Sequence, residues 1–277
     1  MTTTTIDGVR GYQRFALANT FTKALADRAL LVLIAGLAMS AFNVMMGPMF
    51  VALEEAITEM MEALPEGIMA IAGGADMATA DGFYTGEMYS IMVPFAVIYV
   101  AVASAAKAFG GEMEHQTIGL VAASPIRRTR LAVDKVAAMV IHAFAAATIM
   151  ALGMLIGAAI ADLDISTANT IAITVMVSLL ACAAGGLAMV ISIITGRGTL
   201  AILVALLVSV LAYAWSSFLP MAESVADLAW LSPWHHYIGT DPLGSGIDWP
   251  SAALLLVLAV VPLAASVYLF RRRDIAA

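Results

Sequence analysis

Residues 128–162 read RTRLAVDKVAAMVIHAFAAATIMALGMLIGAAIAD, and this stretch decides the fold. Between Lys135 and Asp162 no charged residue occurs, and His142 is the sole titratable side chain. A helix rises about 1.5 Å per residue, so about 20 apolar residues cross the hydrocarbon core of a bilayer. The run from 136 to 161 is long enough. It is continuously apolar rather than alternating, which predicts a spanning helix and not a barrel strand. Its two flanks differ in charge: Arg127, Arg128, Arg130 and Lys135 precede it, whereas Asp162 and Asp164 follow it. Positive charge resists translocation, so the first flank is predicted to be cytoplasmic and the second external.

The same alternation extends over the whole chain. All 13 Lys and Arg lie in 10–28, 107–135, at Arg197 and in 271–273. The segments 48–87, 161–170 and 220–250 contain no Lys or Arg and hold most of the 20 acidic residues. The net charge of −7 is therefore the sum of a basic side and an acidic side, and it points to no acidic or basic partner such as a nucleic acid. Hydrophobic residues make up 62% and charged residues 12%, outside the range of soluble globular domains.

Six windows qualify as spans: about 29–50, 88–108, 136–161, 171–195, 200–219 and 252–270. The expected fold is an all-α integral membrane protein, one domain over 1–277, with both termini cytoplasmic. Pro94 and Pro262 fall inside spans, where neighbouring helices satisfy the freed backbone. Trp215, Trp230, Trp234 and Trp249 fall at the acidic interface, and Tyr268 and Phe270 at the basic one, as aromatic belts require. A cleavable signal in the first span would need a charged region far longer than such signals carry. The stretch 9–28 places Leu17, Phe21 and Leu25 on one stripe among Arg10, Arg14, Lys23 and Arg28. It reads as an interfacial elbow helix, with a cytoplasmic tail as the alternative.

Between spans two and three, 109–130 is too long for a plain hairpin. Glu112 and Glu114 suit a helix start. A short amphipathic run with Ile118, Leu120 and Val121 follows, and Ser124-Pro125 breaks it, because the residue before Pro avoids the helical region. Arg127, Arg128 and Lys135 then lead into the membrane. Here the chain resembles the permeases of the ABC-2 family of ABC transporters. Members carry a Glu-rich stretch, Gly-Thr, apolar residues, a small residue with Pro, an Arg, and a Lys seven residues on. Glu112, Glu114, Thr117, Leu120, Ser124, Pro125, Arg128 and Lys135 fit that order. Gln116 stands where the family usually has Gly, and Arg127 where it often has a small residue. Leu231-Ser232-Pro233-Trp234-His235-His236-Tyr237 also resembles the family's outer segment before its last span.

The resemblance implies an exporter permease fold and a subunit that borrows its motor. The loop would be a coupling helix, with Ile118, Leu120 and Val121 as apolar knobs and Glu112, Glu114, Arg127 and Arg128 at its rim. A solvated, orientation-setting loop is the alternative. Implied partners are two copies of a separate ABC ATPase, a second permease copy or a paralogue, and membrane lipids. No cofactor or metal is expected on this chain, since ATP and Mg would be held by the ATPase. A phosphate-binding loop needs Gly-Lys-Ser/Thr. Lys23, Lys107 and Lys135 follow Thr, Ala and Asp, so no such loop exists in the sequence.

Segment 220–250 is too long for a hairpin and too broken to span. It is expected to form short re-entrant helices at the outer face, with Trp230 and Trp234 as interfacial anchors and Trp230, Trp234 and Tyr237 as an outer gate. His142 is either an intramembrane polar site or a neutral ring bonded to a backbone carbonyl. The Met-rich, acidic stretch 48–87 is an adaptable apolar and solvated segment rather than a copper site, for no Cys accompanies it. The rival classes are an intramembrane enzyme, for which His142 and Cys182 are the candidates, and a non-transporting assembly partner.

Overall fold

The structure is a computed structural model that describes residues 19–63, 77–111, 127–221 and 225–272. Among these residues it contains helices and no strand. The helices are α1 (Thr20–Ala63), α2 (Ala80–Tyr84), α3 (Met92–Ala106), α4 (Arg128–Ile160), α5 (Thr167–Thr195), α6 (Gly198–Phe218), α7 (Pro233–Ile238) and α8 (Trp249–Arg272). Six of them, α1, α3, α4, α5, α6 and α8, are long and apolar enough to cross a membrane. They correspond one to one with the six predicted windows.

The boundaries differ where helix and apolar run are different things. The first window, 29–50, lies within a single 44-residue helix. At 1.5 Å per residue this helix is about 66 Å long, roughly twice the hydrocarbon core. Polar residues past 50 end the apolar run but not the helix. At the other end, the predicted elbow 9–28 is not a separate element over its second half, because Thr20–Arg28 is continuous with α1; the first half lies outside the described residues. Likewise α4 begins at Arg128, eight residues before the apolar run, so part of the predicted loop 109–130 is helical stem.

Helices α3 and α5 form the centre. Every residue of α3 from Val100 to Ala106 is buried. α5 packs against α3, α4, α6 and α8. Gly185 and Gly186 make this possible, because a Cβ at Gly185 would lie 2.8 Å from Met139 Sδ of α4 and one at Gly186 2.9 Å from Pro262 Cγ of α8. α1 instead lies along α4, the most extensive pairing in the bundle. Gly153 and Gly157 of α4 meet the backbone of α1 near Ser40 and Val44 at distances that exclude a side chain. Pro48 removes the amide that would bond Val44 O within α1, and Gly157 approaches this freed carbonyl. Tyr84 Oη donates to the neighbouring Asn43 O at 3.0 Å, and Asn43 Nδ2 donates to Met150 O at 3.0 Å. α1 and α6 turn long rows of Leu, Ile, Val and Met outward, as apolar hydrocarbon surroundings permit.

Candidate sites at the two ends of the third helix

The most informative side chains gather at the two ends of α3, the shortest span. Each end adjoins a π-helical turn: Thr85–Tyr89 before it and Lys107–Gly111 after it. A turn of this kind shifts the backbone ladder by one residue and leaves carbonyls to be satisfied from elsewhere.

At the acidic end the chain breaks at Ile91, whose φ of −136° and ψ of −56° are not helical. Pro94 cannot donate to Ser90 O, the i−4 carbonyl. Trp234 Nε1 takes that place, donating to Ser90 O at 3.4 Å. Tyr237 Oη donates to the preceding carbonyl, Tyr89 O, at 2.9 Å. Both aromatics come from α7. Ser232 starts this helix as its N-cap and accepts from Trp234 N, with Pro233 in the first helical position. Ser232 Oγ also donates to Ala212 O, which fixes α7 against α6. Trp234 and Tyr237 are 1% and 0% exposed. The rings of Phe95, Tyr213 and Tyr237 surround Trp234 at centroid distances of 4.9, 5.4 and 6.3 Å.

The expected short helices of segment 220–250 are present, at Ala226–Leu231 and Pro233–Ile238. Trp234 is not an interfacial anchor, however. It is part of the core, because an orphaned carbonyl inside the bundle holds its N–H. Trp230 is 55% exposed and does not share this pocket; its carbonyl faces His236 Nε2 at 2.7 Å. His235 lies beside His236, with ring centroids 5.5 Å apart. Burial, and secondarily His236, lowers its pKa. Close by on the same end, burial raises the pKa of Asp81, and the nearby carboxylates of Asp241 and Asp164 add to the rise.

At the basic end, Lys135 is 5% exposed and its Nζ donates to Ala108 O. The ammonium lies 5.0 Å from the Phe109 ring centroid, a cation–π contact. Phe109 packs against Phe270 of α8, with ring centroids 4.9 Å apart and the planes tilted by 50°. The preceding residue, Asp134, accepts from Thr20 Oγ1 at the start of α1. About two turns deeper, His142 Nε2 lies 3.1 Å from Leu25 O of α1 and Nδ1 lies 3.1 Å from Ser104 Oγ of α3. A carbonyl only accepts, so Nε2 carries the proton, and in the neutral ring Nδ1 accepts from the Ser104 hydroxyl. His142 thus ties α1, α3 and α4 together and has the carbonyl bond expected of a neutral ring.

Arg127 caps the start of α4 with extended backbone (ψ 128°), and Arg128 is its first residue. Glu112, Glu114, Thr117, Ile118, Leu120, Val121, Ser124 and Pro125 lie outside the described residues.

A family model described as ABC-2 family transporter protein matches residues 17–275 of the chain. The chain belongs to the ABC-2 transporter family. It is a multi-pass membrane protein with a permease role in ABC transport, the membrane subunit of such a system. Among curated proteins none matches it. The match includes both ends of α3. Sequence reasoning missed Lys135 as a buried residue and Phe109 as its platform. The signal available was a lone Lys at the head of an apolar run, with an aromatic residue just past the preceding one.

Proposed function

We propose that the permease is the membrane half of an ATP-driven exporter in the cytoplasmic membrane of a prokaryote. Both termini are cytoplasmic, and the transporter consists of two such chains, or this chain and a paralogue, with two separate ATPase subunits. Substrate crosses by alternating access, and ATP-driven closure of the motor favours the outward-facing state. The loop 109–130 is the docking lever. Glu112, Glu114, Arg127 and Arg128 form its rim, and Ile118, Leu120 and Val121 its apolar contact. The observation that supports this most is the loop's root: a long basic-side loop held at its entry by a buried Lys and packed Phe rings is built to transmit force, which orientation alone does not require.

Trp234, Tyr237 and Trp230 form the outer gate in this reading. The first two are bonded to the start of α3, so a shift of α3 carries them along. The intramembrane-enzyme reading has less support, since both ring nitrogens of His142 are engaged in holding helices.

The test is affinity purification of the permease from its native host with its accompanying ATPase. Glu112→Arg and Leu120→Asp are expected to insert normally, to retain roughly a tenth or less of the ATPase, and to lose transport. Full ATPase recovery with both variants would refute the docking role.

A further inference from the structure

The loop root does more than end α3. Gly110 packs against the first residue of α6: a Cβ there would lie 2.5 Å from both N and Cα of Gly198, and 3.2 Å from the Arg197 carbonyl carbon. Gly110 and Gly198 are both buried. Residues 195–198 form the tight turn between α5 and α6, in which Gly196 takes the left-handed conformation at φ 71°. The chain's two basic-side connections, the long loop and this short turn, are therefore in backbone contact. The contact allows no side chain between them and so no slack.

The same root is held from two further directions. Lys135 of α4 binds Ala108 O and covers Phe109, and Phe109 packs against Phe270 of α8. The turn of α4 that carries Lys135 also binds α1 through Asp134 and Thr20. Keeping an ammonium this deeply buried costs desolvation, which only good geometry offsets.

From this we infer that Lys135, Phe109 and Gly110 form a rigid transmission joint, in which Lys135 is a positioning residue that makes any displacement of loop 112–126 move α4, α6 and α8 together. The inference rests on the proposed coupling role of that loop and adds the route by which its motion reaches the spans. A loop attached only through the chain at 111 and 127 would move α3 and α4 alone. Contact with Gly198 and Phe270 recruits α6, which borders the gate through Tyr213 and Ala212, and α8.

The joint can be tested without knowing the substrate. Ser245 is exposed in the turn after α7, and Ser245→Cys in a Cys182→Ala background reports the acidic end. The complex with its copurified ATPase is reconstituted in liposomes. Maleimide labelling is then compared between ADP and vanadate-trapped ATP. The unaltered joint is expected to show a rate change on the order of tenfold. Lys135→Met should bring the ratio near one while the ATPase stays bound and still hydrolyses ATP, and Lys135→Arg should restore most of the response. Gly110→Ala, which alters no charge, should reproduce the Met phenotype. A full response in both Lys135→Met and Gly110→Ala would overturn the joint and leave the coupling loop intact. No nucleotide response with the joint unaltered would overturn the coupling reading itself, and the joint with it.

Discussion

The two ends of α3 are each held by a side chain that donates to a backbone carbonyl, with different chemistry. At the acidic end Pro94 leaves Ser90 O without its helical donor, and at the basic end a buried Lys donates to Ala108 O. At the acidic end the donors are neutral aromatics, Trp234 Nε1 and Tyr237 Oη, set in a cage of rings. At the basic end the donor is an ammonium, Lys135 Nζ, beside one aromatic face. A neutral aromatic donor brings its own apolar contact area and makes a rigid cap. A charged donor brings little packing and depends on electrostatics, so it suits a place where force enters from a basic loop. The aromatic end is therefore expected to carry stability, and the charged end to carry coupling.

That contrast can be broken at either end. Trp234→Ala should have the largest effect, costing about 3–5 kcal/mol through a cavity inside the ring cluster and the loss of the bond to Ser90 O. Denaturant unfolding in detergent checks this. The surviving folded complex should show raised basal ATPase activity, because the outer gate is opened. Trp230→Ala, at a side chain 55% exposed, should stay within about 0.5 kcal/mol of the parent. Equal costs for the two tryptophans would mean that the buried cap has no special role. Tyr237→Phe is milder: the ring remains and only the donor to Tyr89 O is lost, so about 1–2 kcal/mol is expected in the same assay, with ATPase coupling unchanged. A coupling defect in Tyr237→Phe would blur the division between the two ends.

The bundle was legible in the sequence because a bilayer imposes it: six apolar runs and segregated Lys and Arg leave few alternatives. Hydropathy measures the thickness of the hydrocarbon, though, and not the length of a helix. It stopped at 50 where α1 continues to Ala63, and it started at 136 where α4 begins at Arg128. Short helices are expected in segment 220–250, but the six residues of α7 are too few for periodicity to show which face is buried. The sequence pattern accordingly points Trp234 to the interface, whereas its buried position depends on Pro94, 140 residues earlier in the chain. In the sequence Pro94 is only a proline that a span can tolerate; in the fold its missing N–H is what Trp234 replaces. Lys135 was legible as charge but not as a buried donor, because Ala108 and Phe109 meet it only in three dimensions.

If the permease spans the membrane as proposed, the two ends of α3 lie in opposite compartments, one facing the motor and one facing outside. Single cysteines at Ser124 and Ser245, each in a Cys182→Ala background, test it with a membrane-impermeant maleimide on intact spheroplasts. Ser245→Cys should label at once, and Ser124→Cys only after the membrane is permeabilised. Labelling of both from the same side would mean that the two ends of α3 do not lie across the membrane from one another.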